Sequence, residues 1–242
     1  MQKLFRKREI KVGGSARKPD AEVQIGEEIA VYLPDPRKHL KVLLGCEIIF
    51  EDQDLIAFNK SEGITTHKGV GTKGKTLREA AEELLNLDLT IVHRLDRDTS
   101  GVLIFAKNKV AGNKLAMEFR QRRTDKTYQA VIQGIPKEKS GIITLPLKKS
   151  GEKIVVAKSG GQSAETHWQL VRKIGKNALV EVKIITGRTH QIRVHMSAIG
   201  HPIVGDKLYG DPSSGERMLL HASRLKILDY DFQADLPKEF IK

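Results

Sequence analysis

Apolar side chains recur at helical spacing in three stretches of the chain. In the first stretch they repeat every three or four positions over residues 77–86, and Thr76 begins a capping box just before them. The same spacing follows Asn108, a residue type that commonly caps helices. The third stretch starts at Ile192 and stops before Gly200. The pattern therefore predicts three amphipathic helices.

Around these helices the pattern changes to the two-residue alternation, or the short apolar run, of β-strands. The predicted strands are residues 48–50 and 55–58, which form a hairpin, residues 102–106, the segment around Tyr128, and residues 164–171 and 178–186. Helices and strands do not alternate strictly, as they would in a parallel fold. The sequence therefore predicts an α+β fold with a mixed, mostly antiparallel central sheet and flanking helices.

The distribution of proline and charge divides the chain into three parts. Residues 1–33 contain a basic start, an alternating strand at residues 10–12, a glycine turn and a second strand region at residues 23–33. Residues 34–46 combine proline with charge, which predicts an exposed linker. Residues 47–242 hold the remaining elements and form the predicted main domain.

The chain is strongly basic, with a formal net charge of +12. This charge favours a polyanionic partner such as a nucleic acid, although a basic surface without function would give the same total. Cys46 is the only cysteine, so we expect a buried thiol and a protein of the reducing cytoplasm. Because the sequence has no long apolar run and no signal peptide, we expect no membrane association.

The densest polar segment is His-Arg-Leu-Asp-Arg-Asp-Thr-Ser-Gly at residues 93–101. Asp96 stands between Arg94 and Arg97, and neighbouring cations favour an ionised carboxylate. Such a group can act as a nucleophile or a general base. Residues 98–101 have the composition of a turn whose side chains bind the backbone. From the residues alone, a salt-bridged turn without chemistry is an equally good interpretation.

A second polar segment, residues 186–195, joins a predicted strand to the third helix. Arg188 and Arg193 lie near the start of that helix, where the helix end itself attracts anions. We therefore expect Arg193 either to pair with Asp96 or to hold a phosphate.

Two cofactor motifs are poorly supported. His190 and His195 lack the glutamate of a His-Glu-x-x-His zinc site, and His195 falls on the apolar helix face, as a hydrogen-bonded core histidine would. Gly69, Gly71 and Gly74 lack the spacing of a nucleotide-binding loop.

Four segments, in this order, resemble the motifs of the RluA family of pseudouridine synthases. The family pattern is Lys-Pro-x-Gly, His-Arg-Leu-Asp-x-x-Thr-Ser-Gly, Lys-x-Tyr and Gly-Arg-x-His-Gln-(Ile/Leu)-Arg-x-His. The matching segments here are residues 60–63, 93–101, 126–128 and 187–195, and residues 200–206 match as well. Ser61 departs from the pattern, which usually has proline there. The resemblance covers roughly residues 47–242 and implies the pseudouridine synthase fold.

The resemblance implies an enzyme that isomerises uridine to pseudouridine in structured RNA without metal or cofactor. Asp96 would be the catalytic carboxylate, attacking ribose carbon 1 or removing a proton from carbon 2. Tyr128 would stack on the uracil and is a candidate to assist deprotonation at carbon 5, and Arg193 would orient Asp96. We also expect substrate or RNA contacts from Arg94, Ile192, Arg188, His190 and Lys60, with Arg94 filling the space of the flipped base or holding its phosphate.

Residues 1–33 resemble the second half of an S-four-type RNA-binding domain, whose first half would precede Met1. A disordered basic arm is the competing interpretation. The residues expected to bind RNA in this module are Lys3, Arg6, Lys7, Arg8 and Lys11. Such a module resembles bacterial family members that modify 23S ribosomal RNA, so we expect the enzyme to act on this RNA. We also expect a monomer.

The main alternative is a non-catalytic RNA-binding or ribosome-assembly factor. It would share the basic charge, but a pure binder has no use for a positioned carboxylate facing RNA. A nuclease is a weaker alternative, because clustered carboxylates for magnesium are lacking around Asp96.

Overall fold

The computed structural model describes residues 10–18, 20–31, 44–69, 72 and 74–241. Near its start, β1 (Ile10–Val12), β2 (Ser15–Ala16) and β3 (Ile29–Val31) form an antiparallel sheet in the order β2-β1-β3. The strand predicted at residues 10–12 is confirmed. The second strand region is shorter than predicted, because residues 23–28 are not in a strand.

The structure describes one of the five basic residues that are predicted to bind RNA in the N-terminal module. Lys11 lies on β1. The other four basic residues predicted to bind RNA lie outside the described residues: Lys3, Arg6, Lys7 and Arg8. Residues 34–43 of the predicted linker lie outside them as well.

Ten strands form the central sheet. They are β4 (Glu47–Glu51), β5 (Leu55–Lys60), β6 (Thr90–Ile91), β7 (Ser100–Ala106), β8 (Thr124–Gln133), β9 (Ser140–Ile143), β12 (Thr166–Ile174), β13 (Asn177–Ile184), β14 (Leu220–Ile227) and β15 (Tyr230–Gln233). The order is β4-β5-β7-β14-β8-β13-β12-β9, with β6 beside β7 and β15 beside β14. Among the described strands only β7 and β14 pair in parallel, so the sheet is mixed and mostly antiparallel, as predicted. A separate hairpin consists of β10 (Leu147–Ser150) and β11 (Lys153–Val156).

The three predicted helices are confirmed. They are α1 (Leu77–Leu85), α2 (Lys109–Arg120) and α3 (Gln191–Ala198). Thr76 forms the expected capping box with Glu79, and the Asn108 side chain accepts a hydrogen bond from the Ala111 amide. None of the helices in the described part of the chain is long and apolar enough to cross a membrane.

Two apolar cores meet near the middle of the sheet. One joins β8, β12 and β13 to α3, and the other joins β5 and β7 to α1. Tyr128 on β8 packs against both cores. At the same place β7 approaches β14 so closely that a Cβ on Gly101 would lie 2.2 Å from the Ala222 carbonyl oxygen. The loop that carries Asp96 therefore enters the sheet where its two halves join.

Candidate active site

The backbone on both sides of Asp96 is fixed by side chains from the segment around the end of β5. The Thr66 hydroxyl donates to the Leu95 carbonyl over 2.9 Å and accepts from the Leu95 amide over 3.3 Å. The Lys60 ammonium donates to the Arg97 carbonyl over 3.1 Å. The position of the Asp96 carboxylate is therefore set by buried hydrogen bonds as well as by its own contacts.

Lys60 points into the protein in this arrangement, and its expected contact with RNA stays a prediction. Its side chain is fully buried, and its ammonium also donates to the carbonyls of Ser61 (2.7 Å) and Ile64 (2.9 Å). These two bonds and the bond to Arg97 use all three donors of the ammonium. Burial lowers the pKa of Lys60 to about 8. Lys60 thus holds the loop that carries Asp96.

Asp98 and Ser100 of the predicted turn at residues 98–101 bind other side chains, whereas we expected bonds to the backbone. Asp98 accepts a hydrogen bond from Nε of Arg97 over 2.9 Å. The Ser100 hydroxyl lies 2.9 Å from Nδ1 of the buried His221 on β14. The turn itself closes through the backbone, where the Thr99 amide donates to the Asp96 carbonyl over 3.1 Å.

Arg193 lies beside Asp96, but its main partner is a different carboxylate. Its Nε and one terminal nitrogen each donate to Asp206 over 2.8 Å, while Nη1 lies 3.7 Å from Oδ2 of Asp96. Asp206 also accepts from the amides of Leu208 and Tyr209, which fixes its orientation. Hydrogen bonds from the buried Arg193 lower the pKa of Asp206 against the opposing effect of burial. Our sequence reasoning included residue 206 in a matching segment but gave it no role.

His190 and Tyr209 form a second pair beside Asp96. Nδ1 of His190 lies 2.8 Å from the Tyr209 hydroxyl, and Nε2 lies 3.8 Å from Oδ2 of Asp96. The Tyr209 oxygen accepts from the Ile154 amide over 3.0 Å, so its hydrogen is free to bind Nδ1. Burial lowers the pKa of His190, which favours the neutral ring. We infer that the hydrogen of the neutral ring is on Nε2, which faces Asp96. Sequence reasoning missed Tyr209.

The Gln191 side chain ties together the two ends of the segment at residues 186–191. The Gln191 carbonyl oxygen accepts from the Arg188 amide (3.0 Å) and from the Thr186 hydroxyl (2.7 Å). The Arg188 guanidinium donates to the Ser163 carbonyl over 3.1 Å. His195, further along α3, is fully buried and lies 2.9 Å from the Thr166 hydroxyl, which fits the predicted core histidine.

These groups line a small cavity of about 100 Å³, which we call the inner cavity. It contains the three residues predicted to be catalytic and four of the five predicted substrate contacts: Asp96, Tyr128, Arg193, Arg94, Arg188, His190 and Ile192. Ile192 is buried, whereas Arg94 is exposed. A larger cavity of about 590 Å³ adjoins the inner cavity at Asp96 and Arg193. Lys60 lines neither cavity.

Tyr128 presents a protonated phenol to the inner cavity. Burial and the nearby charge of Asp96 both raise the pKa of its hydroxyl above the usual value. The ring is therefore a neutral surface against which a planar group can pack. Together with Asp96 and the fixed cation of Arg193, the inner cavity can hold a flat base beside an ionisable carboxylate.

Comparisons with known proteins identify the family of this chain. The family model described as RNA pseudouridylate synthase matches residues 54–198. The ribosomal large subunit pseudouridine synthase C of Pasteurella multocida is 34% identical over 98% of this chain and 77% of its own length. The ribosomal large subunit pseudouridine synthase D of Zymomonas mobilis is 32% identical over 87% of this chain and 75% of its own length. The solved structure of human RNA Pseudouridylate Synthase Domain Containing 1 matches with a TM-score of 0.69 and 28% identity, covering 79% of this chain and 83% of that chain. The predicted fold and enzyme class are therefore confirmed, and the chain belongs to the family of RNA pseudouridine synthases, which are RNA isomerases.

Proposed function

We propose that this enzyme isomerises uridine in large-subunit ribosomal RNA, with Asp96 as the catalytic carboxylate acting on a base that has left its stack. The observation that carries the proposal is the inner cavity, where the Asp96 carboxylate lies 3.7 Å from Arg193 and shares a wall with Tyr128. The two bacterial relatives, which are named for the large ribosomal subunit, support the choice of RNA.

The reaction exchanges one bond to ribose for another. The bond between uracil N1 and ribose C1′ breaks, and a bond between uracil C5 and C1′ forms. C5 loses a proton and N1 gains one, so the composition does not change and no oxidant or group donor is consumed. Asp96 begins this exchange, either as a nucleophile at C1′ or as a base at C2′.

The other side chains of the inner cavity hold the base during this exchange. Tyr128 stacks on the uracil as a neutral phenol, because burial and the charge of Asp96 raise the pKa of its hydroxyl. Ile192 packs beside the base, and Arg193 orients the carboxylate of Asp96. Removing the base from its stack costs a few kcal/mol. Arg94, which is exposed and lines the inner cavity, occupies the vacated space.

The test compares ribosomal RNA from cells with the protein, without it, and with the Asp96→Asn variant. Pseudouridine has the mass of uridine, so sites are mapped with a pseudouridine-specific chemical label. We expect sites that are absent from both the deletion and the Asp96→Asn cells, with RNA binding of the purified variant largely intact. Asp98→Asn is the matched control, because Asp98 pairs with Arg97 and we expect the sites to remain.

Two results would contradict separate parts of the proposal. If Asp96→Asn restores the labelled sites, Asp96 is not the catalytic carboxylate. If ribosomal RNA carries the same sites with and without the protein, the large-subunit RNA is not its target.

A further inference from the structure

A second cavity, of about 420 Å³, adjoins the inner cavity and shares Arg94, Tyr128 and Arg188 with it. We call it the flanking cavity. Its volume is that of an ordinary ligand pocket. Five cationic side chains line it, and none of the described residues that line it is Asp or Glu: Arg94, Arg120, Arg122, Lys126 and Arg188.

The charges of the flanking cavity are not neutralised within the described part of the protein. None of its five cations forms an ion pair with a described residue, whereas the neighbouring Arg123 pairs with Glu118. Burial and the like charge of Arg122 both lower the pKa of Lys126. Cations brought this close together repel each other unless an anion lies between them.

The remaining residues that line the flanking cavity are neutral. His93 stacks on Phe119 with ring centroids 4.7 Å apart, and Nε2 of its ring accepts from the Ile104 amide over 3.0 Å. Burial lowers the pKa of His93 to about 3, so the ring is uncharged at neutral pH. Val92 and Ile185 extend this surface. A group of cations beside a neutral, partly aromatic surface suits a nucleotide, which has a phosphate and a flat base.

The register of β8 places this cavity one step from the catalytic residues. Lys126 and Tyr128 are two residues apart on β8, so they point to the same face at a separation of roughly 7 Å. This separation is on the scale of one extended nucleotide. A strand of RNA with its target base against Tyr128 would therefore bring the adjacent phosphate to Lys126.

We propose that the flanking cavity binds the RNA nucleotide next to the target uridine, with its phosphate on Lys126 and Arg122. The sugar and base of this nucleotide lie against the neutral side chains of Phe119 and Ile185. This inference rests on the proposed reaction at Asp96, since it takes the inner cavity as the place of the target base.

The test uses the double variant Arg122→Asn/Lys126→Gln. Arg122 has a left-handed backbone (φ +57°), and asparagine tolerates that conformation better than most residues. The matched control is Lys109→Gln/Lys114→Gln, which removes two exposed cations of α2 that line neither cavity. Arg122→Lys keeps the charge and serves as a second variant. Thermal melting confirms that each variant is folded.

Two properties are measured on an unmodified transcript of large-subunit ribosomal RNA. Binding is measured over a range of salt concentrations, and turnover is measured as tritium released from uridine labelled at C5. Loss of two phosphate contacts should reduce the slope of log K against log salt by about 1.4, at about 0.7 per contact. Turnover at limiting RNA should fall about tenfold or more, as expected for lost hydrogen bonds to a charged group. The control and Arg122→Lys should keep the wild-type slope.

The outcomes separate this inference from the proposed function. If the double variant keeps the wild-type slope and turnover, the flanking cavity does not bind RNA, while the proposed function stands. If the wild type releases no tritium, the proposed target is wrong, and the salt slopes still decide whether the flanking cavity contacts phosphate.

Discussion

Asp206 holds Arg193 through two hydrogen bonds of 2.8 Å, and this buried pair leaves Nη1 of Arg193 3.7 Å from the carboxylate of Asp96. Arg193 is 8% exposed and Asp206 is 1% exposed, so solvent screens the pair little. The guanidinium cannot turn fully toward Asp96 without breaking its bonds to Asp206. The arginine that faces Asp96 is therefore positioned by a second carboxylate.

We predict that Asp206→Asn destabilises the protein and lowers turnover. The amide removes the charge that balances a buried guanidinium, and breaking such a pair costs about 3–5 kcal/mol. The free energy of unfolding is measured with urea, and turnover is measured on labelled RNA. Turnover should fall in the folded fraction as well, because Arg193 is no longer held in place.

Asp231→Asn is the control for this prediction. Asp231 forms a similar two-pronged pair with Arg224, but both side chains are exposed. Exposed pairs contribute little to stability, so we expect a small loss and normal turnover. If Asp206→Asn behaves like Asp231→Asn, the pair of Asp206 with Arg193 does not position the site.

A second prediction concerns Tyr209→Phe. The change removes the hydroxyl between the Ile154 amide and Nδ1 of His190, so the ring loses the bond that sets its orientation. One hydrogen bond is worth about 0.5–1.5 kcal/mol, which corresponds to a drop in turnover of about 2- to 10-fold. RNA affinity should change little. Nitrogen NMR of the histidine side chains should show the hydrogen of His190 on Nε2 in the wild type and a mixture in the variant.

Tyr230→Phe is the matched control. Its hydroxyl donates to Asp52 over 2.7 Å, and it lines neither the inner nor the flanking cavity. We expect wild-type turnover and an unchanged His190 signal. If Tyr209→Phe keeps wild-type turnover and the wild-type nitrogen NMR signal of His190, other contacts hold the His190 ring.

The elements that could be predicted from sequence are those set by local chemistry. Each helix is specified by residues within it or next to it. These are the capping box at Thr76, the cap at Asn108 and the apolar period of α3. β14 and β15 were not predicted. β14 contains the polar residues His221 and Arg224, and its pairing with β7 and β8 depends on residues far away in the sequence.

In the site, too, the features that depend on distant residues could not be predicted from the sequence. The motif at residues 93–101 identified the Asp96 loop, because its residue types are specific. The partner of Arg193 could not be predicted, since its pairing with Asp206 spans 13 positions and depends on the fold. The burial of Lys60 was not predicted, because a lysine at the end of a strand usually reaches solvent, whereas here its ammonium binds three carbonyl groups.

Lys60 provides the last prediction, a loss of turnover at alkaline pH. Its pKa is lowered to about 8, so between about pH 7 and about pH 9 the ammonium becomes an amine, with two donors for three carbonyls. The loop that carries Asp96 then loosens, and turnover falls as pH rises while RNA affinity changes little. Lys60→Met should have low turnover at about pH 7 and about pH 9, with no fall between them. Lys126→Gln should keep the fall, although burial lowers the pKa of Lys126 as well. A fall that persists in Lys60→Met and disappears in Lys126→Gln would assign the titration to Lys126 instead.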